Sequence, residues 1–309
     1  MSDGLLLVDK PSGPTSFAVV ARVRKRLGVR RVGHGGTLDP MATGLLPILV
    51  GEATKLAPYL IGLEKVYEAT VRFGAATDTW DADGRVTAEA DFSSLSEAAV
   101  VAALTGFVGA IQQRPPAYSA IKRDGKRLYQ LAREAAESSA ETTIVADERE
   151  VMVYEAHLVE FALPDARFMI RCGKGTYIRS IAHDLGERLG THGHLVQLRR
   201  TRIGRLEVGD AIDVFGEGPL PSLTPLAEAV DHIPALAIEP AVEERLRRGQ
   251  QSALASLVLP AQGDAARLLD GRGGLIAIAE RAGDRWSLAR VFASAASPSL
   301  AVVKAVVKG

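Results

Sequence analysis

One loop of the sequence places a carboxylate among residues that give the backbone unusual freedom. The stretch GHGGTLDPMATG, residues 33–44, contains four glycines, one histidine, one aspartate and one proline. Glycines allow a ligand or another backbone to approach closely, which suits an exposed catalytic loop. A structural interpretation stands beside this one: Pro40 favours the first position of a helix, so Asp39 is also a candidate N-cap of a one-turn helix ended by Gly44. The two roles are compatible, and Asp39 is the first candidate catalytic residue.

An arginine farther along the chain is a candidate partner for this carboxylate. The stretch GKGTYIRSIAHDLGERLG, residues 173–190, predicts a helix with Thr176 as its cap and Gly190 as its end. Arg179 then lies in the first turn, where the helix dipole disfavours a cation. A carboxylate such as Asp39 would offset that effect and would itself be held ionised in one rotamer. The alternative is an arginine that points into solvent.

The other candidate residues have ordinary structural interpretations. VYEATVRFG, residues 66–74, alternates apolar and polar side chains and predicts a strand with Tyr67 on its apolar face, where core tyrosines are common. His192 and His194 lack further ligands nearby, so no metal site is predicted. Neither a P-loop nor a complete dinucleotide-binding motif occurs, so no nucleotide cofactor is expected.

Composition and length are typical of a soluble protein with two domains. The 309 residues are 47% hydrophobic and 24% charged, with a formal net charge of +0. The longest apolar runs, such as LLPILV at 45–50, are too short to cross a bilayer, and the first residues lack the basic region of a signal peptide. The single cysteine, Cys172, cannot form an internal disulfide. We therefore expect a cytoplasmic protein that has no membrane partner. A monomer is also expected, although nothing in the composition derives it.

The zero net charge hides two basic segments. Residues 22–31 contain six Lys or Arg and no acid, and residues 171–205 contain eight basic residues against Asp184 and Glu187. Segregated charge of this kind can serve a polyanion, and it is equally typical of solvated helix faces.

These residues must be positioned by elements that the local pattern also predicts. A helix is predicted over 15–28, with Thr15 or Ser16 as its cap and Gly28 as its end. A hairpin loop is predicted over 77–84, a loop, strand, turn and helix over 114–137, and a strand over 167–172. Toward the end of the sequence, a linker is predicted over 216–225 and a hairpin over 274–292.

Seven motifs in order carry a resemblance to a known family: VDKPSGPTS, VGHGGTLDPMATGLLPILVGEATK, KVYEATVRFG, TDTWDADG, RPPAYSAIKRDGKRLYQLAR, GKGTYIRSIAHDLGERLG and HLVQLRRTRIG. Together they resemble the TruB family, the tRNA pseudouridine synthases that act on uridine 55 in the T loop. The resemblance covers about residues 4–235, and the remainder is similar, less distinctly, to a small β-rich PUA-like domain.

The resemblance implies an α+β pseudouridine synthase fold, with a central mixed, mainly antiparallel sheet flanked by helices. It implies a catalytic domain over 1–235, a thumb-like insertion at about 113–147 that closes on the T arm, and a PUA-like RNA-binding domain over 236–309. No cofactor and no metal are expected. Gly35 departs from the Thr or Ala that many members carry, which leaves the rigidity of the catalytic loop open.

Residue roles follow from the same resemblance. Asp39 matches the catalytic aspartate, Tyr67 the tyrosine that stacks on the target base, and Arg179 the arginine that pairs with the aspartate. His34 matches a histidine that displaces and holds flipped nucleotides. The residues expected to bind the substrate RNA are His34, Lys10, Tyr177, Leu198, Arg199 and Arg200.

The implied reaction is isomerisation of uridine to pseudouridine, and its first step stays open. Asp39 is expected to attack C1′ of the sugar, to attack C6 of the base, or to remove a proton from C2′. Two alternatives for the whole protein also remain: a non-catalytic tRNA-binding or tRNA-folding module, and a pseudouridine synthase that acts on another RNA.

Overall fold

The computed structural model describes residues 3–118, 122–123, 126–127 and 147–292. In chain order its strands are β1 Gly4–Lys10, β2 Val32–His34, β3 Thr43–Val50, β4 Lys65–Phe73, β5 Ala75–Thr77, β6 Val86–Glu89, β7 Gly109–Gln113, β8 Lys122–Arg123, β9 Lys126–Arg127, β10 Arg149–Ala162, β11 Asp165–Cys172, β12 Gly193–Ile203, β13 Leu206–Glu207, β14 Ala235–Ala237, β15 Ala265–Leu269, β16 Leu275–Ala282 and β17 Arg285–Val291. The α-helices are α1 Ser16–Leu27, α2 Ala57–Ile61, α3 Glu97–Thr105, α4 Ile178–Leu189, α5 Leu226–Ala229 and α6 Pro240–Arg247. Short 3₁₀ helices cover Gly51–Leu56, Val208–Asp210 and Gln251–Ser256.

A mixed sheet forms the centre of the molecule. Within the described residues it has nine strands in the order β1-β3-β12-β4-β11-β10-β7, with β2 added to β3 and β13 added to β12. β3 and β12 run parallel, and the other pairs are antiparallel. Helices α1, α3 and α4 contribute buried residues to the core over this sheet. The expected α+β class with a mixed, mainly antiparallel sheet is therefore confirmed.

Local signals explain the two helices nearest the candidate residues. Thr15 caps α1 by accepting a hydrogen bond from Ala18 N–H at 3.1 Å, and Gly28 ends it in the left-handed region at φ 66°. Gly190 ends α4 in the same way at φ 69°. Burial then follows the 3.6-residue period: Val20 and Val23 of α1 are buried in the core of the sheet.

A second sheet, in the order β14-β15-β16-β17, lies at the end of the described chain and contains the predicted hairpin. It does not pack alone. Leu275 and Phe292 share a buried cluster with Leu5, Leu49 and Leu60 from the first part of the chain. The apolar contact joins the two sheets through a common core.

The predicted linker over 216–225 is partly held against the first strand. Leu5 and Thr224 exchange two backbone hydrogen bonds of 2.9 and 2.8 Å, and Arg26 donates to the carbonyls of Val214 and Gly216 at 3.0 and 3.3 Å. A free linker is therefore the wrong description for this segment, because its backbone and its neighbours are fixed to β1 and α1.

The thumb-like insertion lies mostly outside the described residues. β8 and β9 pair antiparallel, whereas the predicted turn at Gly125 and the predicted helix that follows fall outside the described residues. In the described residues no helix has the length and apolar character needed to span a membrane.

Candidate active site

Strand register aligns several candidate residues in one row across the sheet. Lys10 of β1 pairs with Gly44 of β3, Gly44 with Arg200 of β12, and Arg200 with Tyr67 of β4. Neighbouring strands lie about 4.8 Å apart, so this register brings four distant parts of the sequence together. Asp39 lies in the loop between β2 and β3, next to this row.

The loop that carries Asp39 is an irregular turn, not a helix. Ala42 N–H donates to the carbonyl of Asp39 at 3.1 Å, and β3 begins immediately afterwards. The interpretation of Asp39 as a helix cap is therefore wrong. Ser16 fixes the preceding residue by exchanging hydrogen bonds of 3.0 and 2.9 Å with the backbone of Leu38.

Gly44 is required where the loop enters the sheet. Its φ is +99°, and a Cβ there would lie 2.3 Å from the carbonyl oxygen of Arg200. Gly35 is held differently, because its N–H donates to Pro47 at 2.8 Å and a Cβ would meet Leu60 and Pro47 at 3.2 Å. The glycine at position 35 therefore sits in a tight, hydrogen-bonded setting.

Two buried cations hold the loop from either side. Lys10 is fully buried, and its Nζ donates to the carbonyls of Pro11, Pro40 and Ala42 at 2.9, 3.0 and 2.6 Å. The guanidinium of Arg200 donates from the other side to three further carbonyls, those of Leu45 at 2.8 Å, Thr37 at 3.2 Å and Gly36 at 3.1 Å. The backbone around Asp39 is thus fixed by charged side chains that each bind carbonyl oxygens.

These contacts correct the expectation that Lys10 and Arg200 offer free charge to RNA, because both cations are bound to backbone carbonyls. Arg200 is only 1% exposed. Adjacent residues of a strand point to opposite faces, so Arg199 lies on the other side of the sheet. There it forms a bidentate ion pair with Asp9, in which Nη1 donates to Oδ1 at 3.0 Å and Nη2 donates to Oδ2 at 2.7 Å. The side chain of Arg199 stays partly exposed.

The contacts of Lys10 lead to a testable prediction. Lys10→Met keeps a similar volume but leaves three carbonyls without a donor, which should lower the free energy of unfolding by about 3 kcal/mol. Lys25→Met, at an exposed position of α1, is the matched control and should change stability by less than about 0.5 kcal/mol. Urea unfolding of both variants measures the difference, and equal stabilities would contradict the structural role of Lys10.

The same variant isolates a pH effect. Burial lowers the pKa of Lys10 to about 8 in the folded chain, from an ordinary value of 10.5. Between these values the unfolded chain holds more protons, so stability rises with pH. Burial also lowers the pKa of Lys65 to about 8. Lys65 is present in both the unsubstituted protein and Lys10→Met, so it adds the same pH dependence of stability to each. Stability should therefore rise more steeply over this pH range in the unsubstituted protein than in Lys10→Met.

Arg179 joins the loop that carries Asp39 to two other segments. Its side chain is 4% exposed, and Nε lies 2.9 Å from Oδ2 of Asp39. The Nε–H is not aligned for a hydrogen bond, so this contact is an ion pair held by charge. Nη1 donates to the carbonyl of Thr79 at 3.2 Å and Nη2 to that of Tyr118 at 2.9 Å, while Asp81 Oδ2 lies 3.4 Å from Nη1. The predicted pairing of Arg179 with Asp39 is present.

The start of α4 differs from the sequence-based prediction. Thr176 donates its hydroxyl to the carbonyl of Gly173 at 3.1 Å and does not cap the helix. Tyr177 is the N-cap residue, and its own side chain makes no cap hydrogen bond. Arg179 nevertheless lies in the first turn, where Asp39 supplies the negative charge that the helix dipole favours.

Asp81 is a site residue that the sequence analysis missed. Its side chain is 7% exposed, and Thr79 donates its hydroxyl to Oδ1 at 2.5 Å. Burial raises the pKa of Asp81, while Thr79 and Arg179 lower it. The hairpin of β5 and β6 that carries it was predicted, but nothing in the local sequence pattern indicates that Asp81 contacts Arg179, which lies far along the chain.

A cavity of about 300 Å³ opens beside these groups. Asp39, Tyr67, Leu198 and Arg179 all contribute to its lining, and Tyr177 lies on the same wall. Its volume is at the low end of the range for small-molecule sites, which suits a single nucleotide base. The cavity therefore places a carboxylate, an aromatic ring and an apolar side chain around one space.

Tyr67 is one of the residues that line this cavity. The residue is 8% exposed and lies on the buried face of β4, as the alternating pattern predicts. Burial raises the pKa of its hydroxyl, and the neighbouring guanidinium of Arg200 opposes that shift. The phenol therefore stays protonated at neutral pH and can donate or relay a proton.

The remaining expected RNA contacts divide into two groups. Tyr177 and Leu198 line the cavity, with the guanidinium of Arg149 stacked over the Tyr177 ring at 4.9 Å. His34 ends β2 half-buried and does not line the cavity in the described residues. Burial lowers the pKa of His34, so its ring is neutral at pH 7.

Several lining residues were not singled out from the sequence. Arg149 and Lys65 add positive charge to the wall of the cavity, and Ile61 adds an exposed apolar side chain.

Two other depressions, of about 360 and 470 Å³, lie away from Asp39. One is lined by Val66, which alternates with Tyr67 and therefore lies on the opposite face of the sheet. In the described residues no group of His, Cys, Asp and Glu could hold a metal ion.

Much of the segregated positive charge is neutralised within the fold. Arg171 pairs with Glu64 at 2.7 Å and Glu155 at 2.6 Å, and Arg205 pairs with Asp231 at 2.9 Å. Exposed cations such as Lys174 remain at the surface beside the cavity. The basic segments thus serve both folding and the surface potential.

Comparison with known proteins agrees with this geometry. A family model described as TruB family pseudouridylate synthase (N terminal domain) matches residues 24–178. A second, described as tRNA pseudouridylate synthase B C-terminal domain, matches residues 179–214. The two matches meet at the first turn of α4, and neither reaches the second sheet.

Individual relatives cover most of the chain. The tRNA pseudouridine synthase B of Opitutus terrae is 48% identical over 223 residues, which are 72% of this chain and 90% of that protein. The protein of the same name from Burkholderia pseudomallei is 42% identical over 90% of this chain and 92% of its own length. Among solved structures, a chain of a Cbf5-Nop10-Gar1 complex superposes with a TM-score of 0.67 at 27% identity, covering 90% of this chain and 78% of that chain. The chain therefore belongs to the TruB family of pseudouridine synthases.

Proposed function

We propose that the protein isomerises uridine 55 in the T loop of tRNA to pseudouridine. The observation that carries this proposal is the carboxylate of Asp39, held by the buried Arg179 at the wall of a cavity that also contains the Tyr67 ring. The relatives named tRNA pseudouridine synthase B support tRNA as the substrate. The cavity supports a single base as the group that enters.

Substrate binding requires the target base to leave its stack. Extruding a base from folded RNA costs a few kcal/mol, which contacts in the site must offset. Tyr67 offers a ring face for stacking, Leu198 an apolar surface, and Arg149 and exposed Lys174 positive charge for the phosphates. The cavity accepts the base, and the surrounding cations accept the backbone.

The chemistry is an isomerisation with no net redox change. The bond from N1 of uracil to C1′ of the sugar breaks, the uracil rotates, and a new bond forms between C5 and C1′. The C5 proton then leaves, and N1 gains a proton. Asp39 begins the sequence by attacking C1′, by attacking C6 or by removing the C2′ proton, and its ion pair with Arg179 holds the carboxylate beside the cavity for each of these steps.

Tyr67 is proposed to assist the final proton transfer, which gives a testable prediction. Tyr67→Phe keeps the ring but removes the hydroxyl, so the single-turnover rate of pseudouridine formation should fall by about 10²-fold or more. The Kd for tRNA should change little, since stacking is retained. Tyr59→Phe, at a tyrosine bonded to Glu280 away from the cavity, is the control. A normal rate in Tyr67→Phe would remove the hydroxyl from the mechanism.

We further propose the division into a catalytic domain over 1–235 and an RNA-binding PUA-like domain over 236–309, with a T-arm contact made by the insertion at about 113–147. Support comes from the separate four-stranded sheet at the end of the chain. The basic motif and the aromatic residues of the insertion suit a nucleic-acid surface.

Tritium release separates the proposal from its alternatives. Pseudouridine formation expels the hydrogen on C5, so tRNA labelled with tritium at C5 of uridine should lose label in proportion to turnover. A non-catalytic binding module would bind the same tRNA and release none. A synthase for another RNA would release label from ribosomal RNA and leave tRNA unchanged.

A further inference from the structure

The last residue of β7, Gln113, is buried and hydrogen-bonded to the start of α4. It is 1% exposed. Its Oε1 accepts the N–H of Tyr177 at 2.7 Å, and its Nε2 donates to the carbonyl of the same residue at 3.0 Å. One side-chain amide therefore satisfies both backbone groups of the residue that begins the helix.

This pair of bonds holds the N-cap residue of α4 from outside the helix. The first N–H groups of a helix have no partner within it, and the N-cap side chain usually supplies one. Tyr177 cannot do so, and the hydroxyl of Thr176 is directed to Gly173. Gln113, 64 positions earlier in the chain, fixes the N-cap residue instead.

Neighbouring contacts fasten the same turn to the same strand end. Ser180 donates its hydroxyl to the carbonyl of Arg114 at 2.7 Å, and Arg179 donates to that of Tyr118 at 2.9 Å. Arg149 pairs with Gln113 in the strand register and stacks on the Tyr177 ring. The first turn of α4 is thus attached to the residues that begin and end the insertion.

We propose that Gln113 is a positioning residue for pseudouridine formation, acting through the backbone of Tyr177 on the Arg179–Asp39 ion pair. The inference rests on the proposed function. Arg179 follows Tyr177 by two positions, so a shift of the N-cap residue moves the guanidinium relative to Asp39. Misplacement of a reacting group by about 1 Å can cost about 10²-fold in rate. Because the amide is neutral, it holds the turn without adding charge beside the ion pair.

Two substitutions and a matched control test this role. Gln113→Leu removes both hydrogen bonds, and Gln113→Glu keeps the acceptor but loses the donor to the Tyr177 carbonyl. Gln112→Leu changes the same residue type at the adjacent, exposed position of β7. Single-turnover tritium release from C5-labelled tRNA gives the rate, filter binding gives the Kd, and a melting curve for each variant reports folding.

The rate should fall about tenfold or more in Gln113→Leu and by a smaller factor in Gln113→Glu, with Kd within about twofold of the unsubstituted value. Gln112→Leu should change neither quantity. A normal rate in either Gln113 variant would overturn the proposal, as would a rate loss matched by an equal loss of folded protein. If Gln113→Leu fails to fold, the rate of Gln113→Glu alone tests the proposal: a reduced rate supports the positioning role, and a normal rate overturns it. Absence of release by the unsubstituted chain would instead overturn the proposed function.

Discussion

Asp39→Asn should reduce pseudouridine formation by about four orders of magnitude or more, which places product below ordinary detection. The reason is that an amide cannot act as nucleophile or base at neutral pH in any of the three possible first steps, and loss of such a group typically costs this much. Folding should be retained, because Arg179 keeps Asp81 and two carbonyls as partners. Single-turnover tritium release from C5-labelled tRNA measures the rate.

Binding provides the internal control for this variant. The Kd of Asp39→Asn for tRNA should stay close to that of the unsubstituted protein, since most contacts with RNA lie outside the carboxylate. Asp284→Asn makes the same chemical change at a fully exposed turn between β16 and β17 and should keep full activity. Measurable turnover by Asp39→Asn near the normal rate would exclude Asp39 as the catalytic group.

Arg179→Ala is expected to have the second largest effect, on both activity and stability. Asp81 is nearly buried, and without Arg179 its charge has no guanidinium beside it, which typically costs about 3–5 kcal/mol. Asp39 also loses the ion pair that fixes its rotamer, so the rate should fall by at least about 10²-fold. Urea unfolding and single-turnover release measure the two effects separately.

The stability loss should depend on pH. Burial already raises the pKa of Asp81, and removal of Arg179 raises it further. A carboxyl whose folded pKa lies above its unfolded value loses stability as pH rises through that interval. The deficit of Arg179→Ala should therefore be smaller at mildly acidic pH than at neutral pH.

Arg188→Ala is the matched control for that experiment. Arg188 belongs to the last turn of the same helix, is exposed and stacks on the ring of Phe107. Its loss should leave the rate and the pH dependence unchanged. A pH-independent deficit in Arg179→Ala would show that the Asp81 carboxylate is not the group left unpaired.

Local signals in the sequence predicted the elements that carry the site. The hydroxyl of Thr15 and the left-handed Gly28 define α1, and alternation places Tyr67 on the buried face of β4. A cation in the first turn of a helix is disfavoured by the helix dipole, which predicted a carboxylate near Arg179. In the structure that carboxylate is Asp39. These predictions succeeded because each depends on residues within a few positions or on one strong electrostatic conflict.

Long-range contacts account for what the sequence did not predict. Gln113 and Asp81 reach α4 from segments whose distance along the chain leaves no local signal of contact. Arg200 is different, since strand alternation was available and already indicates that it and Arg199 face opposite sides. The run of basic residues suggested a shared RNA surface, whereas Arg200 is buried and donates to backbone carbonyls in and after the loop that carries Asp39.

A site-resolved pseudouridine map of tRNA shows which uridine the chain converts and whether Asp39 is needed. Unmodified tRNA is incubated with the purified chain or with Asp39→Asn, and each uridine is then scored for conversion. We expect one pseudouridine, at position 55 of the T loop, with the unsubstituted chain and none with the variant. Conversion at no position by the unsubstituted chain, or equal conversion by Asp39→Asn, would contradict this expectation.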